Sequence, residues 1–370
     1  MMVRRLALLV GLGAGLPGSA LAQWQSEIRP TSQGTRNTGL MGGLRAEFWI
    51  PKDSTGRDAV SALMEAGVGI RGSWQGVAAL NLTGQWPGWA FSARLSGQRD
   101  ASFEYYGLGN ETGSDRGAVS GAGPDYFRVG RRRYAGRLTA ARRVMGPVSV
   151  AGWLGSVHAE FQAPDSSSRF GDDRGRFSQS TEVQGGILLV VDSRDRPADP
   201  RRGLFIESGL SGGTAGQGYQ RLFAVGRAYL PVARGTVVAV RLGGAGRVSG
   251  VVPLDARFVL PLLDGDVGVL GGRDSFRGLQ YQRLAGDGVL WANLDVRQHL
   301  ARIRGRDIRV LGFVDAGRVF ENEPVRLGLT GVRVGWGAGL ALPTARSVGI
   351  LQASRGPDGF LVSGSMRWQF

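Results

Sequence analysis

Apolar and polar residues alternate along the end of the chain. In the last eleven residues, FLVSGSMRWQF, one face of an extended strand carries Phe360, Val362, Gly364, Met366, Trp368 and Phe370, and the other Leu361, Ser363, Ser365, Arg367 and Gln369. The period of two recurs upstream. Val332, Val334, Trp336, Ala338, Leu340 and Leu342 face away from Arg333, Gly335, Gly337 and Gly339. Leu290, Ala292, Leu294, Val296 and Leu300 oppose Asn293, Asp295, Arg297 and His299, and Val238, Val240, Leu242 and Val248 oppose Arg241 and Arg247. Strands of this type are predicted at 39–51, 60–73, 76–86, 89–99, 126–145, 147–162, 180–195, 203–211, 219–232, 236–249, 288–300, 307–320, 331–342 and 347–355, fifteen with the C-terminal one.

One apolar face and one face of arginine and glycine, repeated this often, describe a barrel with lipid outside and water inside. A secreted sandwich is the soluble alternative, with the apolar face turned inward. Single-chain bacterial barrels have an even strand number, so parity predicts a weak first strand in QSEIRPTSQGTR, 25–36, which is polar and carries Pro30. The fold class expected is therefore all-β, a transmembrane antiparallel β-barrel of about sixteen strands. Short turns at 145–147, 231–235 and 343–346 would be periplasmic, and longer segments at 100–125, 163–179 and 250–287 external.

The N-terminus sharpens this picture. Arg4 and Arg5, an apolar run from Leu6 to Leu16 and the small-residue pattern Ala20-Leu21-Ala22 read as a signal peptide over 1–22, with the barrel occupying 23–370. The longest uninterrupted apolar stretch beyond it, Ile187 to Val191, is far too short for a spanning helix. Cysteine is absent, so no disulfide holds the fold. The 62 glycines follow no collagen-like period. The formal net charge of +15 is almost wholly arginine, Lys52 being the one lysine. The arginines are scattered at strand-like intervals, with a single triplet at 131–133, which argues against a nucleic-acid partner and for a polar lumen or contact with anionic lipid.

Enzymatic signals are thin. GLSGG, 209–213, fits the nucleophile-elbow spacing but lies at the end of a predicted strand, without the strand-to-helix turn the chemistry needs. The two histidines, His158 and His299, are far apart in sequence, and no cofactor or metal is implied. GWGAG, 335–339, has no following helix to cradle a phosphate. The nine tryptophans mostly fall near predicted strand ends, as interfacial anchors would.

Three segments resemble one family. LGGRDSFRGLQ, with Gly271, Gly272, Phe276, Arg277, Gly278 and Leu279, resembles the conserved loop of the Omp85 superfamily, the outer-membrane assembly factors and two-partner secretion translocators that include the BamA/TamA-like surface antigen D15 barrels. FVDAG, from Phe313 through Asp315 to Gly317, is similar to that family's Phe-x-Asp-x-Gly strand motif. DSRDRPADPRRG resembles its mid-barrel turn through Asp192, Arg194, Asp195, Pro200, Arg202 and Gly203, and Trp368 and Phe370 resemble its C-terminal signal. Two positions depart: Leu279 stands for the usual Phe or Tyr, and Phe276 for the usual Val or Ile, so the contacts of the loop tip are expected to be rearranged. Between Gln23 and Gly39 there is no room for a periplasmic POTRA domain, which implies a barrel-only member.

The residues also assign Arg277 a role beside the resemblance. The 250–287 loop is long and glycine-bounded and can fold into the lumen. Strand alternation turns Asp315 inward with Arg309 and Phe313, so Arg277 and Asp315 are expected to form a bidentate latch, with Asp295 a second partner. The resemblance implies residence in the bacterial outer membrane. It also implies non-enzymatic assembly, insertion or translocation of proteins or lipids through a lateral seam between a weak first strand and a glycine-bearing last one. The expected partners are outer-membrane lipid and unfolded outer-membrane proteins or a separate periplasmic protein, with a homodimer open. The alternative is a passive channel whose arginine-rich lumen prefers anions.

Overall fold

The computed structural model describes residues 24–370 apart from 36–38, 52–57, 84, 115–122, 124, 164–166, 264–266, 269, 273, 304 and 345–347. The expected signal peptide, 1–22, lies outside the described residues.

Sixteen strands form one antiparallel sheet in which almost every neighbour in space is the neighbour in sequence. They are β1 (Gln25–Thr35), β2 (Gly39–Pro51), β3 (Asp58–Gly69), β4 (Trp74–Thr83), β5 (Trp89–Glu104), β6 (Arg128–Met145), β7 (Val148–Gln162), β8 (Gln179–Asp192), β9 (Gly203–Ala215), β10 (Gln217–Ala233), β11 (Thr236–Gly250), β14 (Gly288–Ile303), β15 (Arg306–Phe320), β16 (Arg333–Pro343), β17 (Val348–Gly356) and β18 (Gly359–Ser365). Between β11 and β14 the chain makes a short helix (Leu254–Phe258) and a two-residue hairpin, β12 (Val259–Leu260) with β13 (Val267–Gly268). Among the described residues no ladder joins β1 to β18, so the sheet is not closed.

Burial follows the period of two. In β14, Asn293, Asp295 and Arg297 are buried while Leu294 and Val296 are exposed. In β16 the outward Val334, Trp336 and Leu340 are exposed. The register carries this alternation across the sheet: Arg241 faces Asn293, and Asn293 faces Asp315. The segment between β11 and β14 packs against the inner faces of β7 to β11, β14 and β15. Its Leu260, Leu262, Val267, Leu270, Phe276 and Leu279 share a core with inward residues such as Trp153, Phe205, Phe223 and Trp291. A second aromatic core joins Phe103, Phe161 and Phe170 to Leu254 and Phe258 of the short helix.

Two expectations are corrected. The last strand stops at Ser365 instead of running to Phe370. Met366 keeps its outward place, but Trp368 and Phe370 turn inside and are buried. The Ser365 hydroxyl donates to Arg367 O and accepts from Arg367 N, a local arrangement that competes with the ladder, and the indole N–H finds inside a partner that hydrocarbon cannot offer. The tryptophans also divide. Trp86, Trp89 and Trp336 are exposed, whereas Trp49, Trp153, Trp291 and Trp368 are buried and do not anchor the protein in the interface.

Candidate functional site

The loop tip is a closed turn made possible by glycine. Gly271 and Gly272 have φ of 124° and 86°, a region that disfavours any side chain. Gly272 N donates to Leu279 O (3.0 Å), and Phe276 N to Gly272 O (3.0 Å), which presents Arg277 at the apex with Phe276 and Leu279 buried on either side.

Arg277 meets two carboxylates. Its Nε donates to Asp315 Oδ2 (2.8 Å) and its Nη2 to Asp315 Oδ1 (2.6 Å), a bidentate fork, while Nη2 also reaches Asp295 Oδ1 (2.8 Å). Its backbone N–H donates to the same Asp315 Oδ2 (2.7 Å). The guanidinium carbon lies 3.6 Å from the centre of the Phe313 ring. Neutral partners complete the cluster: Asn293 Nδ2 donates to Asp315 Oδ1 (2.7 Å) and to Ser275 O (2.6 Å), and the Ser354 hydroxyl to Arg277 O (2.7 Å). The three charged side chains are at most 1% exposed, so one cation faces two anions in a dry setting. Arg297 supplies the second cation, at 3.1 Å from Asp295 Oδ2. Each buried carboxylate is thus matched by a cation, as burial demands, and the fully buried Arg241 joins the cluster through Asn293 Oδ1 (2.8 Å).

Small residues let the tip approach the wall. A Cβ on Gly335 would lie 2.6 Å from Phe276 Cε2, and one on Gly278 would lie 3.0 Å from Gly356 Cα. On Gly317 a Cβ would come 2.7 Å from Leu270 Cδ1. Gly335 of β16, Gly356 of β17 and Gly317 of β15 are therefore the seat of the loop. A second anchor lies nearer the β17–β18 turn, where Asp358 accepts from Gln280 N (3.0 Å) and Arg283 Nε (3.2 Å).

At the rim bearing residue 370 the mid-barrel turn forms a floor. Asp192 pairs with Arg194, which lies 4.1 Å above the Phe205 ring, and Asp195 Oδ1 accepts the backbone N–H groups of Arg196, Arg201 and Arg202. Gly203 has φ 109°, and a Cβ there would collide with Ser193. Pro200 is buried. This local order projects Asp199 across the barrel, where Arg309 Nη1 and Nη2 grip it at 2.7 and 2.8 Å and Trp368 Nε1 donates to it at 2.9 Å. Burial pushes the Asp199 carboxyl up, but Arg309 and the Trp368 indole bring it below the ordinary carboxylate value. The C-terminal tail is held further by Arg297, which donates to Phe370 O (2.9 Å) and lies over the Trp368 ring. Asp199 is absent from the sequence reading. The available signal was a carboxylate inside a proline-bracketed turn, with an inward arginine, Arg309, left without a partner.

Ser211 of GLSGG lies within β9, opposite Gly186 and Arg221. His158 bonds Thr181 and Glu160, and among the described residues no cluster of His, Asp and Glu is placed to hold a metal. The arrangement holds a loop and a tail inside a barrel whose first and last strands share no ladder among the described residues.

Similar architectures are known. BamA from Haemophilus ducreyi lacking POTRA domains 1–3 aligns with a TM-score of 0.57 and 14% identity over 92% of this chain and 68% of that one. CdiB from Escherichia coli aligns with a TM-score of 0.60 and 13% identity over 92% and 62%, and CdiB from Acinetobacter baumannii with 0.52 and 13% over 93% and 65%. The likeness is one of fold, and the chain spans 62–68% of the length of these proteins. No curated protein sequence matches. The Omp85 superfamily domain model, however, matches residues 87–354, most of the chain. With that match and this sixteen-stranded sheet, the protein belongs to the Omp85 superfamily of bacterial outer-membrane β-barrels.

Proposed function

We propose that the protein assists the assembly, insertion or translocation of other polypeptides at the outer membrane, through the seam between β1 and β18, and that Arg277 with Asp315 and Asp295 is the latch that keeps its long loop in the lumen. The single observation that carries this reading is the unclosed sheet: among the described residues β1 and β18 share no ladder, so each leaves a strand edge free to template an incoming strand. The substrate it fits best is an unfolded outer-membrane protein, whose own edge strand matches such a template. A separate periplasmic protein that delivers the substrate is compatible with this role. The anion-channel alternative is weakened by the loop, whose apolar side chains and latch occupy the side of the lumen bounded by β7 to β11, β14 and β15.

The test is the rate at which a small unrelated outer-membrane protein folds into liposomes containing the wild type or Arg277→Ala. The wild type is expected to accelerate folding and the variant to lose the acceleration. Equal rates with and without the wild type would end the assembly reading. A cysteine pair introduced at Pro30 and Met366 isolates the seam, because the native chain has no cysteine. Activity that survives the lock would exclude the seam as the route.

A further inference from the structure

The segment from Glu321 to Val332, between β15 and β16, does not stand away from the barrel as an external loop ordinarily does. By register, Gly246 of β11 and Phe320 of β15 are outward positions, as is Gly288 of β14, which pairs with Phe320. All lie at the end of the barrel away from residue 370. An outward phenylalanine on a lipid-facing wall should be exposed, yet Phe320 is 0% exposed. The two glycines leave a dent in the wall, and Val325 sits in it: a Cβ on Gly288 would come 2.6 Å from Val325 Cγ2, and one on Gly246 3.0 Å. The segment is thus folded down over the outside of the rim. Both of its ends are tied, through Glu321 to Arg257 in the lumen and through Gly331 O to Asn110 Nδ2 (2.8 Å). Arg318, itself outward, lies over the Phe320 ring and pairs with Glu323.

Beyond Val325 the segment presents Leu327 and Leu329, 91% and 89% exposed, more than any other large apolar side chain among the described residues. They lie in a bend that leads into the turn at 330–331, outside any strand. Two leucines this exposed would be costly in water, and they closely follow Val325, which packs on a wall whose outward Leu242, Val248 and Val314 are exposed. We infer that this segment is a membrane-contacting wedge: it seats Val325 on the paired glycines and inserts Leu327 and Leu329 among the acyl chains of the outer leaflet, with Arg326 at the depth of the lipid phosphates. The occupant is lipid because the surface is continuous with the lipid-facing wall and shares its apolar chemistry.

A single spin label tests this, since the chain offers no other thiol. Leu327→Cys and, as the control in the same segment, Glu323→Cys are labelled and reconstituted into vesicles of phosphatidylethanolamine and phosphatidylglycerol. Relaxation of each label by dissolved oxygen is compared with relaxation by a water-soluble nickel chelate. The oxygen-to-nickel ratio is expected to be at least about fivefold higher at 327 than at 323. Equal ratios would overturn the inference and leave the leucines in water, where they would serve a soluble partner instead. Adding Val325→Asp, which does not fit the dent, is expected to return the 327 label to the aqueous value. A 327 label that ignores this change would remove the paired glycines as the device that places the wedge.

Discussion

The inner face of β1 to β4 and the inner face of β14 to β17 are both lined with arginines and carboxylates, and they use them differently. In the first region Arg29, Arg45, Glu47, Glu65 and Gln75 form a ladder, with Arg45 bridging Glu47 (2.6 Å) and Glu65 (3.1 Å), and its side chains remain 16–32% exposed. In the second, Arg277, Asp295, Asp315 and Arg297 are equally close but at most 1% exposed. The difference is the loop, which covers one wall and leaves the other wet. Distance alone therefore says little about what an ion pair holds together. A wet pair is replaced by water when broken, whereas a dry pair leaves an orphaned charge.

The sharpest way to break this contrast is to remove a partner on each side. Arg277→Ala strands Asp315 in a dry site and leaves Asp295 to Arg297 alone, and the expected loss is about 3–5 kcal/mol, measured as a fall in the urea midpoint of the protein in detergent micelles. If that fall were no larger than for an exposed pair, the loop would not be excluding water. The next largest effect is expected from Gly335→Val, which strikes the Phe276 ring and overpacks the seat by about 1–3 kcal/mol. Its distinguishing readout is conductance in planar bilayers, which should rise as the tip is displaced.

Asp199→Asn probes the floor, where exposure is intermediate. It removes the charge gripped by Arg309 and is expected to cost about 1–3 kcal/mol. The wild-type pH dependence should carry the same signature. A carboxyl held below its ordinary value of about 3.9 contributes its full stability above that pH and loses it as the pH falls through the lowered value. Release of the tail, followed by labelling of a cysteine introduced at Gln369, should therefore appear on acidification below about pH 4 and be absent as a pH-dependent step in Asp199→Asn. The smallest effect belongs to Arg45→Ala in the wet ladder, under about 1 kcal/mol and reduced further by salt.

Much of this architecture is legible in the order of residues. The strand expected at 39–51 is the strand observed, Gly39–Pro51, and the polar run containing Pro30 forms β1 as parity requires. The inward placing of Asp295, Arg309, Phe313 and Asp315 follows from alternation alone. The meeting of Arg277 with Asp315 and Asp295 was legible because two features converge on it, an arginine in a long loop with glycine at its turn and inward carboxylates on neighbouring strands. The tail was not. Nothing in the period of FLVSGSMRWQF distinguishes Phe360, which faces lipid, from Trp368, which is indoors, because the decision depends on Asp199 at a sequence distance of 169. Asn293, Ser354 and Asp358 were missed for a related reason, since each acts on the loop only once the sheet has curved around it.

By itself, then, the sequence determined the strands, their inward and outward faces and their sequential antiparallel order, because side-chain alternation is a property of each strand and one apolar face admits only one orientation toward lipid. The tertiary structure alone decided which lumen charges are dry, which glycines seat the loop, where the last five residues turn, and that β1 and β18 stay unjoined. Those outcomes depend on groups from distant strands arriving at the same place, and no local pattern encodes the water they exclude.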